Sequence, residues 1–390
     1  MGRILALISF VLTATCLVAA ATITVNCDDG QSLSHTLTKL SNFPLESPMT
    51  VIVRGTCTEY VVIRGFEDLT VKGQGATIVQ PSTAPTDGLL LNTITVEDSR
   101  SVTLDGFTIH SLSAASDAVG IGGHSSDIRL RNLTIDGTAS SGVAIYEGSQ
   151  ASLANVTVRD VGYASVGVWD VSDAHIESCL FENTTGALWH VGIATGSGHV
   201  TLRGTTIRNM QVGIDIGQTG IVDLVDFNNY YPKGANTDVV IDNPAGTNYE
   251  GVHVAEGSSL NVETVKLRIN NAGQLWGFNT GGVVLDGNST LDDLSGNLVI
   301  AGSQGQGIFV ANNSHAVLAG SSVSGGGHGG IVAVNQSSVE FSNANPPSQI
   351  TGNITDLFCD SQSWITGAAN ASYVNSQCSN LQNTVYVGLP

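Results

Sequence analysis

Basic side chains are scarce in this chain. Its 390 residues hold 14 Lys and Arg against 33 Asp and Glu, a formal net charge of −19. Such a surface repels nucleic acid, anionic membranes and acidic polymers at range, so no nucleic-acid partner is expected. Cysteine and histidine spacings suited to zinc are absent, and no metal or other cofactor is expected. After one apolar run at the N-terminus, no second segment approaches bilayer-spanning length. The 46 glycines argue against long helices and for a turn-rich all-β chain.

Residues 1–21 read as a secretory signal: Arg3, an apolar run from Ile4, and the small-residue site Ala19-Ala20-Ala21 before Thr22. An uncleaved anchor is the alternative, since the run is nearly long enough to span a bilayer. Cleavage removes Arg3 and no acid, leaving the chain one charge more acidic, extracellular and with no membrane attachment. Beyond Cys16, Cys27 and Cys57 flank an N-terminal segment, and Cys359 and Cys378 flank a C-terminal one. Both pairings suit an oxidising compartment. Cys179 falls on an inward position with Ile176 and Phe181 and reads as a buried, inert thiol.

The informative presence is an internal repeat. Val143/Ile145, Val166/Val168 and Val191/Ile193 are aliphatic pairs two residues apart, each closed by a serine six residues after the first aliphatic: Ser149, Ser172 and Ser197. The frame recurs at Val119/Ile121/Ser125, Ile214/Ile216/Gly220, Val252/Val254/Ser258, Val283/Leu285/Ser289, Ile308/Val310/Ser314 and Ile331/Ala333/Ser337. A period in the twenties is the signature of a solenoid. Leucine-rich repeats share it but need a Leu-x-x-Leu-x-Leu frame and an Asn column, both absent. Further alternating pairs follow the closing residues, such as Ala174/Ile176 and Val156/Val158. Alternation of this kind means half-buried strands. Three short strands per coil predict an all-β, parallel β-helix solenoid of about ten or eleven coils, with each rung buried on its neighbours. Over residues 50–345 the pattern resembles the right-handed parallel β-helix (pectin-lyase-like) superfamily, in its secreted repeat branch. That superfamily holds lyases, hydrolases, epimerases, tailspikes and adhesins, so the resemblance implies a fold and no particular reaction.

Residues 22–60 are expected to form an N-terminal cap, with Leu33, Leu37 and Leu40 on one face of a short helix stopped by Pro44. Residues 61–342 hold the β-helix, and residues 343–390, which lose the frame, form the C-terminal cap. Two coils carry insertions, over residues 226–250 and 270–279. Long loops on a regular scaffold tend to be functional; plain surface ornament is the competing reading. Eight Asn-x-Ser/Thr sequons occur, but at Asn132 and Asn155 the repeat itself calls for a turn Asn and an outward Thr.

Outward positions lie between and just after the paired aliphatics. They offer Tyr146 and Glu147 on one rung and Trp169 and Asp170 on the next, then Asp215, His253, Asp286 and Phe309. Turns into the same strands add Tyr163, Trp189, His190, Trp276 and His328. Aromatic faces beside acids are what neutral sugars need: a ring to stack on and acceptors for hydroxyls. Tyr146, Tyr163, Trp169, Trp189, His190, Asp215, His253 and Trp276 are therefore the candidate binding residues. Glu147 and Asp170 on neighbouring rungs are the candidate catalytic pair, their carboxyls expected about 5 Å apart, near a retaining-glycosidase separation. A solvated scaffold face produces such pairs by chance, so both roles stay open.

A lyase fits less well, because the outward columns lack the Lys or Arg that neutralises a uronate. Asn236-Thr-Asp238, Asp292-Asp293 and Gly327-His328-Gly329 echo a polygalacturonase pattern, but no Arg or Lys follows Arg268 to complete it. Two functions remain. One is a secreted, monomeric protein that binds, or binds and cleaves, a neutral polysaccharide or cell-surface glycan. The other is a non-enzymatic, adhesin-like or spacer β-helix.

Overall fold

The paired aliphatics stack rung upon rung. In the computed structural model, which describes residues 21–42, 48–83, 92–112, 117–185, 190–226, 237–243, 250–273 and 280–383, Val143 pairs with Val166. The line continues through Ile193, Ile214, Val252, Val283, Ile308 and Ile331 to Leu357. Every one of these side chains is fully buried. Burying each stabilises the coil by roughly 1.5–3 kcal/mol, and only the neighbouring rungs supply that burial. The chain is a right-handed parallel β-helix. Among the described residues, one sheet stacks thirteen strands from Val61–Arg64 to Ser376–Cys378, and a larger sheet of 25 strands forms the other sides.

All nine frame positions fall in the thirteen-strand sheet, with one correction to register. Val191 pairs with Ala164, not Val166, and Ile193 takes the inward place. The rung is shifted by two residues from the expected register, and Val191 packs outside the main core with Ala164, Ala194, Trp169 and Val212. Strands Thr355–Cys359 and Ser376–Cys378 extend the same column, so Leu357, Cys359 and Ser363 carry the frame one rung past Ser337.

The closing serine has a physical role. Ser149 Oγ accepts from the Ser125 N–H at 3.1 Å, and Ser172 Oγ accepts from the Ser149 N–H at 3.1 Å. The same bond joins Ser289 to Ser314 and Ser337 to Ser363. Buried backbone donors at the corner thus find acceptors one rung above. A glycine precedes the first inward aliphatic for a steric reason. A Cβ on Gly213 would lie 2.5 Å from the Gly251 carbonyl oxygen and 2.8 Å from Ile241 Cγ2, so a larger residue would force the rungs apart.

At the N-terminal end, strand Ala21–Asn26 pairs with Met49–Arg54, and helix Leu33–Ser41 buries Leu33 and Leu37. Ser32 Oγ caps the helix by accepting from the His35 N–H, and Glu59 accepts from the N–H groups of Leu33 and Ser34. Disulfides join Cys27 to Cys57 and Cys359 to Cys378. Cys179 is free and buried, and burial pushes its thiol up to about 12. In the larger sheet Arg203, its side chain 4% exposed, bonds Glu177 and reaches Asp226 Oδ1 at 2.6 Å. No described helix is long and apolar enough to cross a membrane.

Candidate functional site

The outward face of the thirteen-strand sheet changes character along the solenoid. Successive partners in its central column are first small (Gly120, Ala144, Gly167, Ala194), then ionisable (Asp215, His253), then apolar (Val284, Phe309, Val332, Phe358).

Large rings fold over the small stretch. The Tyr146 ring covers Gly122 of the rung before it, and a Cβ there would strike it. Trp169 lies over Gly167 and Gly196; a Cβ on Gly167 would meet its Nε1 at 2.7 Å. Tyr163 stacks beside Trp169 with centroids 6.3 Å apart and planes inclined by 21°. These rings, with Asp117, Ser140, Asp170 and Gln218, line a cleft of about 460 Å³. Asp117 is held by Ser140 Oγ at 2.7 Å and by the Ser141 N–H at 2.8 Å. Burial raises the Tyr163 phenol, and the nearby Asp215 carboxylate adds to the shift, which ties the cleft to the ionisable stretch.

Of the expected residues, the structure gathers Tyr146, Tyr163, Trp169 and Asp170 around this cleft. Glu147 and Asp170 both occupy left-handed turn positions at φ 57° and 53°. Glu147 Oε2 accepts from the Gly123 N–H at 2.8 Å and is not among the cleft's walls. His190 is buried, and that burial pulls its imidazole down toward the neutral form. Trp189, Trp276 and most of both insertions lie outside the described residues. Asp215 and His253 belong together: His253 Nδ1 is 2.9 Å from Asp215 Oδ1 and 3.9 Å from Glu250 Oε2.

Glu250 was missed by sequence reasoning. It stands opposite Val212 and Gly281, three residues before His253. Burial raises its carboxyl to about 7; His253 opposes the shift, while Asp215 and Asp286 add to it. His253 is itself raised: burial works against its charged form, and the bond to Asp215 with the charges of Glu250, Asp215 and Asp286 outweighs it. Glu250, His253, Asp286 and Phe309 line a pocket of about 220 Å³. Beyond Phe309 and Val334 the surface continues into an apolar groove of about 390 Å³, walled by Val332 and Phe358 and by Gln306. Gln306 is 5% exposed and its Oε1 has no hydrogen-bond partner. Among the described residues the one group tight enough for a metal is Cys27, Cys57 and Glu59, whose cysteines are tied in a disulfide.

A family model described as "Right handed beta helix region" matches residues 90–228, supporting the superfamily resemblance carried by the repeat. No curated protein matches the sequence. Similar solved structures include an alginate lyase from Paenibacillus sp. str. FPU-7 (TM-score 0.49, 12% identity, 75% of this chain and 97% of that one). An exopolygalacturonase from Thermotoga maritima aligns over 94% of both chains (TM-score 0.47, 11% identity). PfbA, a surface adhesin of Streptococcus pneumoniae, aligns over 93% of both (TM-score 0.41, 12% identity). At such identities none of them transfers an activity to this chain.

Proposed function

We propose that this is a secreted, monomeric protein that binds a neutral polysaccharide through the cleft built by Tyr146, Tyr163, Trp169 and Asp170. The observation that carries the reading is the Tyr163–Trp169 stack set beside the Asp117 and Asp170 carboxylates. Stacked rings offer an apolar platform to a pyranose face, and carboxylates accept from its hydroxyls. Among the described residues no Lys or Arg lines the cleft, and the acidic chain repels uronates, which together favour neutral sugars. Glu147 is tied to a backbone N–H in an exposed turn, so the cleft supports binding better than cleavage between Glu147 and Asp170.

A glycan array followed by calorimetry tests this. Trp169→Ala weakens binding of a neutral glycan by about 1–3 kcal/mol, the worth of a large buried side chain, while the protein stays folded. If no neutral glycan binds, or if Trp169→Ala leaves affinity unchanged, the face is scaffold and the spacer reading replaces this one.

A further inference from the structure

We propose that the same face carries a second ligand site, which takes a small amphiphilic amine, its ammonium between Glu250 and Asp286 and its apolar chain along the groove from Phe309 to Phe358. The site shares no wall with the Tyr163–Trp169 cleft and does not rest on the glycan reading.

Two concavities meet to form it. The pocket of about 220 Å³ beside Glu250 and the groove of about 390 Å³ beyond it both have Phe309 and Val334 as walls. Together they fall in the size range of small-molecule sites, roughly 300–1,000 Å³. Strand register gives the length. Asp286 directly follows strand Gly281–Leu285, and Phe358 lies three strands further along the stack, about 14 Å at roughly 4.8 Å per rung. The two ends differ in chemistry. Glu250, His253, Asp286 and Asn312 line the first pocket, whereas Phe309, Val332, Val334 and Phe358 line the groove. An apolar strip of this kind on the outside of a chain with a net charge of −19 marks a surface that binds something.

The polar end is short of positive charge. Among the described residues no donor lies within hydrogen-bond distance of the Glu250 carboxyl. Its nearest basic atom is His253 Nδ1 at 3.9 Å, and that nitrogen is already 2.9 Å from Asp215. Gly281, opposite Glu250 on the next rung, has no side chain to offer. Asp286 accepts only from the neutral Asn312 amide. No Lys or Arg lines either pocket among the described residues. A neutral ligand would leave these carboxylates uncompensated and an anion would be repelled, whereas an ammonium supplies both charge and N–H donors. The repulsion is visible in Glu250 itself: burial raises its carboxyl to about 7, and Asp215 and Asp286 add to the shift against His253.

Calorimetry of the whole protein with octylamine, octanol and octanoate tests the site. At pH 8 Glu250, at about 7, is ionised, while an alkylamine, like a lysine at about 10.4, keeps its proton. Octylamine should bind at least about tenfold tighter than octanol, the worth of hydrogen bonds to a charged group, and octanoate should not bind. Affinity should rise about two- to four-fold per methylene from butylamine to octylamine as the groove fills. Glu250→Gln and Asp286→Asn should each bring octylamine toward the octanol level and leave octanol unchanged, a split that a merely structural role would not produce. Phe358→Ala, at the far end of the groove, should weaken amine and alcohol alike and flatten the chain-length series, while Trp169→Ala should change neither. The proposal is overturned if octylamine binds no tighter than octanol, if both acid variants leave it unchanged, or if Phe358→Ala has no effect. Amine binding lost in Trp169→Ala would also overturn it, by placing the ligand in the cleft. Failure of every amine defeats this inference alone, since the glycan reading stands on other residues.

Discussion

Arg203 allows a sharp test of how the solenoid tolerates charge in its wall. It stands directly opposite Glu177 on the neighbouring strand and also bonds Asp226. Its side chain is 4% exposed, against 14% for Glu177 and 32% for Asp226. Arg203→Met keeps the apolar stem and removes the cation. Taking one partner from a buried pair destabilises by about 3–5 kcal/mol, because the other charge stays desolvated. Asp226 regains water and adds little, whereas Glu177 does not, so the expected loss is near the lower bound, about 3 kcal/mol. Arg159→Met is the control. Arg159 pairs with Glu182 at 2.7 Å in the adjoining strand, but its side chain is 45% exposed, and an exposed pair is worth about 0–1 kcal/mol. Urea unfolding followed by circular dichroism measures both. Adding Glu177→Met to Arg203→Met should recover most of the loss, since no buried charge then remains. Equal losses in the Arg203 and Arg159 variants, or no recovery in the double variant, would refute the reasoning.

Three further outcomes concern a histidine, the disulfides and the free thiol. Hydrogen bonds to Asp173 and Asp223 raise His199 to about 10 from 6.5, and the bond from His199 in turn holds Asp223 below the usual carboxylate range. The raised histidine stabilises fully below about 6.5 and loses its effect as pH climbs toward 10; the depressed Asp223 acts above its ordinary value and fades as pH falls below it. The melting-temperature deficit of His199→Ala should therefore be largest between about pH 4 and 6.5 and vanish toward pH 10; a deficit that grows with alkalinity contradicts this. Each disulfide should stabilise its end of the solenoid by about 2–4 kcal/mol, read as a fall in melting temperature for Cys27→Ala/Cys57→Ala and for Cys359→Ala/Cys378→Ala. In the native protein Cys179, buried and raised to about 12, should resist iodoacetamide, and mass spectrometry showing it alkylated without unfolding would overturn that assignment.

The solenoid was legible in the sequence because its core is written in pairs. Val143/Ile145 and Ile308/Val310 are inward by alternation alone, and a closing serine marks most of the turns. The register slip at Val191 was not legible, since Val191 and Ile193 are both aliphatic and spacing cannot say which faces in. Packing of Val191 under Trp169 decides it. The aromatic cleft was half legible: Tyr146 and Trp169 occupy the outward position after the pair, but only Gly167 of the glycines beneath their rings is on the same strand, while Gly122 lies 24 positions before Tyr146 and Gly196 27 after Trp169.

Glu250 marks where reading by frame stops. Its column is two residues ahead of the paired aliphatics, where neighbouring rungs hold Val212, Gly281 and Gln306, a set with no common chemistry to draw the eye. An acid there looks like one more surface carboxylate. What sets it apart is burial beside His253, Asp215 and Asp286, groups that come from three different rungs. Burial of that kind belongs to no local spacing. It arises only when the coils stack, and so the residue with the strongest chemical signature on this face is also the one that one-dimensional pattern was least able to show.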